Sequence, residues 1–203
     1  MDAATAIKTN VAGFAYRDQG RWEAFRDLFH PEGTIAVTWY SGPIDGFIEG
    51  SKKMMASGTA QTKHWIGASR TEINGRRALC DTDVIIMARS KVAGAEVDVT
   101  TFARFFDRVE RPADDVWRVV RRVAVYEKDR IDPVAPSLRF RLIYALAGFS
   151  RYPASYRHLA AGLVRSGQKL SADIVEAGSP SEAALWREAR TWLNQAQEGG
   201  ATP

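Results

Sequence analysis

The chain has little cysteine and no long apolar run. Its single cysteine, Cys80, cannot form an internal disulfide, and it excludes structural zinc sites that need several cysteines. No apolar run approaches the roughly 20 residues of a membrane-spanning helix. The N-terminal residues lack the basic and long apolar stretches of a secretory signal. These absences predict a cytoplasmic protein without a membrane span.

Motifs that carry cofactor chemistry are also missing. The sequence contains no Gly-rich phosphate loop followed by Lys-Ser/Thr, no dinucleotide fingerprint, no His-Glu-x-x-His and no Gly-x-Ser-x-Gly elbow. The three histidines, His30, His64 and His158, lie far apart in the sequence. We therefore expect no cofactor and no metal ion.

Acidic residues are missing between Asp132 and Asp173, a stretch that contains six basic residues. The whole chain carries a net charge of +4. A stretch of one sign could attract an anionic ligand, a nucleic acid or a lipid surface. No nucleic-acid-binding motif accompanies it. A solvated helix face is therefore the favoured interpretation, and we expect no nucleic-acid partner.

The remaining composition, 45% hydrophobic and 26% charged, is that of one globular domain among 203 residues. Apolar residues at helical spacing predict helices at 4–16, 22–29, 47–56, 137–149, 154–166 and 181–194. β-Branched and alternating residues predict strands at 34–40, 63–73, 77–90, 96–109 and 116–127. Asn74-Gly75 is a strong hairpin signal between two of them. This order predicts an α+β fold in which a bent antiparallel sheet wraps the N-terminal helices.

His64 lies near the start of the first long predicted strand. Strand alternation places it on one face with Ile66, and places Trp65 on the other. A histidine inside an apolar interior needs a partner for its ring nitrogen, and a carboxylate also fixes the tautomer. Asp18, at the end of the first predicted helix, is the candidate partner. From these physical arguments alone, a satisfied core histidine is the favoured alternative.

The other two histidines are expected to be structural. His30 precedes a proline at a predicted helix end, and His158 falls on a basic helix that we expect to be exposed.

Four segments of the chain occur in an informative order and spacing. They are residues 16–25, 28–34, 64–67, and 116–119 with 125–130. Together they resemble the SnoaL-like branch of the nuclear transport factor 2-like superfamily, which includes scytalone dehydratase, hexachlorocyclohexane dehydrochlorinase and bile-acid dehydratase. The resemblance covers residues 4–135. It implies a cone-shaped α+β barrel over 1–135, with 136–203 as a helical C-terminal extension packed on the same domain.

The resemblance also implies a catalytic pair. In the dehydratase and dehydrochlorinase members, an aspartate near the end of the first helix pairs with a histidine on the strand after the third helix. Asp18 and His64 occupy the matching positions. Arg17 stands where scytalone dehydratase has a tyrosine, and Ala88 or a neighbour stands where it has a second histidine. These departures argue against a scytalone-type substrate.

A base of this kind needs a cation or a hydroxyl group to stabilise the negative charge that develops on the substrate. Arg122 is the favoured catalytic donor because SnoaL-like members often keep an arginine there, and a structural salt bridge is its equally weighted alternative. Arg121, Tyr126 and Tyr40 are further candidates. The residues expected to bind substrate are Phe14, Trp39, Tyr40, Trp65, Asp98, Phe102 and Tyr126. Among them, Trp65 would face inward only if a bulge turns it.

Two functional hypotheses remain open. The first is a cofactor-independent lyase or isomerase, dehydratase-like, that removes a proton from a medium-sized hydrophobic or polycyclic carbonyl compound. The alternative is a non-catalytic small-molecule-binding or accessory protein. We expect the extension to cover the sheet or cap the pocket mouth. The resemblance further implies a homodimer or homotrimer, because cone-fold proteins usually bury the outer sheet face between subunits.

Overall fold

The computed structural model describes residues 1–58, 61–92, 94–135 and 138–195. The N-terminal part contains α1 (Ala3–Ala12), α2 (Ala15–Asp18), α3 (Trp22–Arg26), β1 (Phe29–Val37), β2 (Tyr40–Pro43) and α4 (Ile44–Ser57). Four long strands follow, namely β3 (Gln61–Asn74), β4 (Arg77–Val92), β5 (Ala95–Glu110) and β6 (Arg118–Pro133). The C-terminal part contains α5 (Leu138–Leu146), α6 (Arg157–Arg165), β7 (Val175–Glu176) and α7 (Pro180–Asn194).

All the strands belong to one curled sheet. Its order is β2-β1-β6-β5-β4-β3, and β7 pairs with β6. The long strands are antiparallel, whereas β1 and β7 each run parallel to β6. The predicted α+β fold, a bent sheet around N-terminal helices, is therefore confirmed. Within the described ranges, no helix combines the length and apolarity that a membrane crossing requires.

The hairpin predicted between β3 and β4 is present, but its two-residue loop lies one residue later in the sequence than predicted. Asn74 pairs with Arg77, which leaves Gly75 and Arg76 as the two-residue loop. Gly75 has a φ of +58°. Only glycine adopts this left-handed conformation without steric cost, so the glycine at position 75 determines where the chain turns.

The two faces of the sheet pack against different parts of the chain. The inner face contributes Ile86, Phe105 and Tyr126 to a core shared with Phe14 of the N-terminal helices and with α6. The outer face contributes residues such as Phe106, Val123 and Val125, which pack against Leu185, Ala189 and Leu193 of α7. The C-terminal segment therefore contacts both faces of the sheet. α7 packs on the outer face, and α6 packs against the inner core.

Predicted boundaries differ from the observed ones in several elements. The helix predicted at 22–29 ends at Arg26, because Phe29 already pairs with Val119 at the start of β1. The strand predicted at 116–127 continues to Pro133, which pairs with Val97.

A bulge explains why the part of β6 beyond residue 127 was not predicted. Phe102 pairs with Lys128 and Ala103 with Tyr126, so Glu127 is one residue in excess. A one-residue excess reverses the alternation of side chains along the strand beyond it.

Beneath the inner core lies a buried ion pair. Arg122 donates through Nε and Nη2 to the two carboxylate oxygens of Asp107, each at 2.7 Å. The side chains are 1% and 0% exposed. The guanidinium carbon lies 4.5 Å from the ring centroid of Phe105 and 5.2 Å from that of Phe14. Because removal of either partner would leave the other as an uncompensated buried charge, the pair fixes the local packing of β5 and β6.

Asp107→Asn should strongly destabilise the fold, because it leaves the Arg122 guanidinium buried without a counter-charge. We expect the free energy of unfolding to fall by about 3–5 kcal/mol in denaturant titrations. The matched control is Asp98→Asn, which removes the carboxylate that pairs with Arg89 on the exposed surface. That change should cost less than about 1 kcal/mol. Equal losses in the two variants would contradict this account of Arg122.

Candidate active site

A cavity of about 500 Å³ opens between the N-terminal helices, the inner sheet face and α6. This volume lies in the range of pockets that hold small organic ligands. Its apolar lining includes Phe14, Trp39, Phe47, Phe105 and Leu159. The charged or titratable residues that line it are Arg17, Asp18, His64, Tyr126 and His158. The cavity can therefore hold a mainly apolar ligand and contact it with a small number of polar groups.

Asp18 and His64 lie in direct contact at the cavity wall. Nδ1 of His64 is 2.8 Å from Oδ1 and 3.1 Å from Oδ2 of Asp18. The backbone N–H of His64 also donates to Oδ2, at 2.6 Å. The two side chains are 9% and 3% exposed. An imidazole that donates through Nδ1 keeps the lone pair of its neutral form on Nε2, the nitrogen that a base uses.

The environment keeps His64 neutral and Asp18 charged. Burial lowers the pKa of His64 below its ordinary value of 6.5; the Asp18 carboxylate opposes this shift, while the charges of Arg17 and Arg122 add to it. Burial acts to raise the pKa of Asp18, but hydrogen bonds from His64 and the charge of Arg17 hold it below its ordinary value. A neutral imidazole beside a carboxylate is suited to accept a proton.

Arg17 is a cation at the cavity that the sequence did not single out. Its Nη1 donates to Oδ1 of Asp18 at 3.2 Å, and its side chain is 9% exposed. Arg17 entered the sequence comparison only as a departure from scytalone dehydratase. Its position in the sequence could have identified it, because a residue next to Asp18 at the end of a packed helix lies close to the same site.

Tyr126 also lines the cavity, as the sequence predicts. Its hydroxyl accepts the backbone N–H of Thr38 at 3.0 Å and lies 2.5 Å from Oγ1 of Thr38. Burial raises the pKa of Tyr126 to about 12. The phenol therefore keeps its proton and remains a hydrogen-bond donor.

Arg122 lies behind the cavity wall, not at it. It points to the inner side as predicted, but its guanidinium is bound to Asp107, below the rings of Phe14 and Phe105. The prediction that Arg122 contacts the substrate is therefore wrong, and its alternative, a structural salt bridge, is what the structure has.

Four further predicted binding residues lie away from the cavity lining. Trp65 is 63% exposed on the outer face, so no bulge turns it inward. Asp98 pairs with Arg89, and Phe102 lies under the ammonium group of Lys128 on the same outer face. The hydroxyl of Tyr40 donates to the carbonyl of Pro43.

For Asp98 and Phe102 the error was the choice of face, since it is Val99 and Phe105 of β5 that line the cavity.

His158 is not on an exposed helix. It is 6% exposed and lines the cavity from α6. The missed signal was helical spacing, because Leu159 and Leu163 of the same helix also line the cavity. As for metals, no three His, Cys, Asp or Glu side chains are grouped to hold an ion within the described part of the chain.

The pKa of His64 should be measurable by NMR titration of its ring protons, and it should lie below 6.5. Arg17→Gln removes a positive charge beside the ring, so the pKa of His64 should rise in that variant. Arg70→Gln, at an exposed site, should leave it unchanged. Because the unfolded chain binds this proton more readily, stability from this site is full above about pH 6.5 and is lost as the pH falls. An unshifted pKa in Arg17→Gln would contradict the role given to Arg17.

Known proteins match this chain in sequence and in fold. A PEP2-like protein from Fusarium vanettenii is 34% identical over 90% of this chain and 82% of its own length. Pea pathogenicity protein 2, from the same fungus, is 36% identical over 72% of this chain and 62% of its own length. These values show a common family.

Solved structures match the fold at low identity. A putative scytalone dehydratase from Novosphingobium aromaticivorans matches with a TM-score of 0.53 at 16% identity, over 66% of this chain and 94% of that one. LinA matches with a TM-score of 0.51 at 14% identity, over 66% of this chain and 89% of that one. Residues 1–123 match the family model described as a SnoaL-like domain. The chain therefore belongs to the SnoaL-like family.

Proposed function

We propose that the chain is a cofactor-independent lyase or isomerase that removes a proton from a carbon next to a carbonyl group. The observation that carries the proposal is the 2.8 Å contact between Nδ1 of His64 and Asp18 at the wall of a largely apolar cavity. The dehydratase name of a structural neighbour agrees with this chemistry.

In this proposal His64 is the base. Asp18 holds the Nδ1 proton, so Nε2 accepts the proton from carbon, and the carboxylate then stabilises the imidazolium that forms. The backbone N–H of His64 adds a second bond to the same carboxylate and fixes the orientation of the pair. Positioned bases of this kind typically supply about 10²- to 10⁴-fold in rate.

The negative charge that develops on the carbonyl oxygen needs a partner. Arg17 takes the role first assigned to Arg122, because it is a cation that lines the cavity and lies beside Asp18. Tyr126, protonated and held by Thr38, offers a neutral donor. In a site that excludes water, such donors stabilise charge more than they would in solution.

The cavity lining indicates the class of substrate. A volume of about 500 Å³ fits a ligand of one to three rings, and Phe14, Trp39 and Phe105 present aromatic surfaces to it. We therefore propose a medium-sized, mainly hydrophobic carbonyl compound.

Proton abstraction can be tested without knowing the natural substrate. β-Tetralone in D₂O should exchange its α-protons faster with the wild-type chain than in buffer alone, as followed by NMR. His64→Asn should lower the catalysed rate by about 10²- to 10⁴-fold. Asparagine retains an N–H near the Nδ1 position, so the bond to Asp18 and the fold should persist. Asp18→Asn should also slow exchange, because it removes the group that fixes the tautomer.

The matched control for that experiment is His30→Asn, since His30 lies outside the cavity and accepts the backbone N–H of Glu32. This variant should catalyse exchange of the α-protons of the ketone at the wild-type rate. Exchange that is equally fast in wild type and His64→Asn would overturn the proposal. A wild-type chain that binds the ketone but does not accelerate exchange would instead support the non-catalytic binding alternative.

A further inference from the structure

We propose that His158, held by Asp129, is a second catalytic residue of this cavity and protonates the leaving group in an elimination of water. This inference rests on the proposed function, because it adds an acid to the base His64. The reaction would then be the dehydration of a β-hydroxy carbonyl compound.

The contact between Asp129 and His158 repeats the arrangement at the first pair. Nδ1 of His158 is 2.7 Å from Oδ1 of Asp129, and the backbone N–H of His158 donates to Oδ2 at 2.6 Å. The backbone N–H of Leu159 donates to Oδ2 as well, at 2.9 Å. Asp129 therefore caps the start of α6 while it orients the imidazole. Its side chain is 0% exposed and that of His158 is 6% exposed.

The bulge at Glu127 is what brings Asp129 to the inner face. Beyond the bulge, Asp129 pairs with Thr101, which is fully buried on the inner side of β5. Without the extra residue, alternation from Tyr126 would place Lys128 inside and Asp129 outside.

Strand register relates this carboxylate to the first histidine. His64 pairs with Ile86, Ile86 with Thr101, and Thr101 with Asp129, so the four residues form one row across the sheet. Three strand spacings separate the ends of the row, about 14 Å along the sheet. The two imidazoles therefore approach the cavity from different ends of this row and do not stack side by side.

The charges around the two histidines differ in a way that suits opposite roles. At His64, Arg17 also pairs with the carboxylate, and its charge disfavours an imidazolium. At Asp129, His158 is the one side chain of the described residues in an ion-pair contact. A buried carboxylate needs a counter-charge. In the proposed elimination His158 takes the role of the acid, because no arginine or lysine of the described residues pairs with its carboxylate.

The second ring nitrogen of His158 contacts a tyrosine hydroxyl group. Nε2 lies 3.2 Å from the hydroxyl of Tyr144, a contact at the long end of the hydrogen-bond range, and Tyr144 is 40% exposed. Because His158 itself lines the cavity, a ligand hydroxyl group can take the place of the Tyr144 hydroxyl on Nε2.

The elimination balances without a co-reactant. Nε2 of His64 takes the proton from the α-carbon, and the C–H electron pair becomes the new carbon–carbon double bond. The bond from the β-carbon to the hydroxyl oxygen breaks, and that oxygen takes the proton from Nε2 of His158 and leaves as water. His64 is then protonated and His158 neutral. Proton exchange with solvent restores both, so the net change is the loss of one water molecule.

A pair of substrates with different leaving groups tests the inference. The aldol of benzaldehyde and acetone must lose hydroxide, whereas its acetate ester loses acetate, which needs no proton. Both give benzylideneacetone, which is followed by its ultraviolet absorbance. In His158→Asn, kcat/KM for the aldol should fall by about 100-fold or more, and that for the acetate should change less than about threefold. A structural role for His158 would slow both substrates alike.

Controls separate folding and the first proposal from this one. In His158→Asn, the asparagine retains an N–H that can donate to Asp129. Near-ultraviolet circular dichroism checks that the variant is folded. If it is not, His158→Gln gives the same comparison. His30→Asn should match the wild type with both substrates. If His64→Asn leaves the acetate reaction unchanged, or the wild-type chain turns over neither compound, the proposed function fails. Suppose instead that His64→Asn abolishes both reactions. If His158→Asn then slows the two reactions equally, or slows neither of them, only the role of His158 is overturned.

Discussion

Burial of charge inside the curled sheet is the constraint on which the rest of this structure depends. A carboxylate removed from water must be paired, and three buried aspartates at the inner core meet that need in two ways. Asp107 is bound by a guanidinium, whereas Asp18 and Asp129 are bound by an imidazole and by backbone N–H groups. The first arrangement is inert and supports the core. The other two place an imidazole ring at the cavity wall, so the same physical requirement supports the core in one case and lines the cavity in the other two.

The general architecture follows from local rules and could be predicted from the sequence. Alternation along residues 63–109 was strong enough to place the long strands and to put His64 inside and Trp65 outside. The hairpin followed from Asn74-Gly75. Asp18 was a candidate partner of His64 from its place at a predicted helix end, and the family resemblance then favoured a functional pair over a satisfied core histidine.

The remaining errors have identifiable physical causes. Helical spacing at 22–29 did not reveal that Phe29 pairs with Val119, because the pairing is non-local. Arg122 was placed on the correct face, but a sequence does not show that Asp107 is opposite it on β5. Asp98 and Phe102 were assigned to the cavity because both faces of β5 carry large side chains. Only the packing of α7 on Phe106 reveals which face is outer.

The bulge in β6 has a consequence for how sites in this fold can change. An amino acid inserted into a strand is usually regarded as a local defect, but here it exchanges which side chains face solvent for every position that follows. Loss of the single codon for Glu127 would turn Asp129 outward and leave His158 without its carboxylate, while the first pair would be untouched. A one-codon deletion is thus enough to separate a chain with two histidine–aspartate pairs in its cavity from a chain with one.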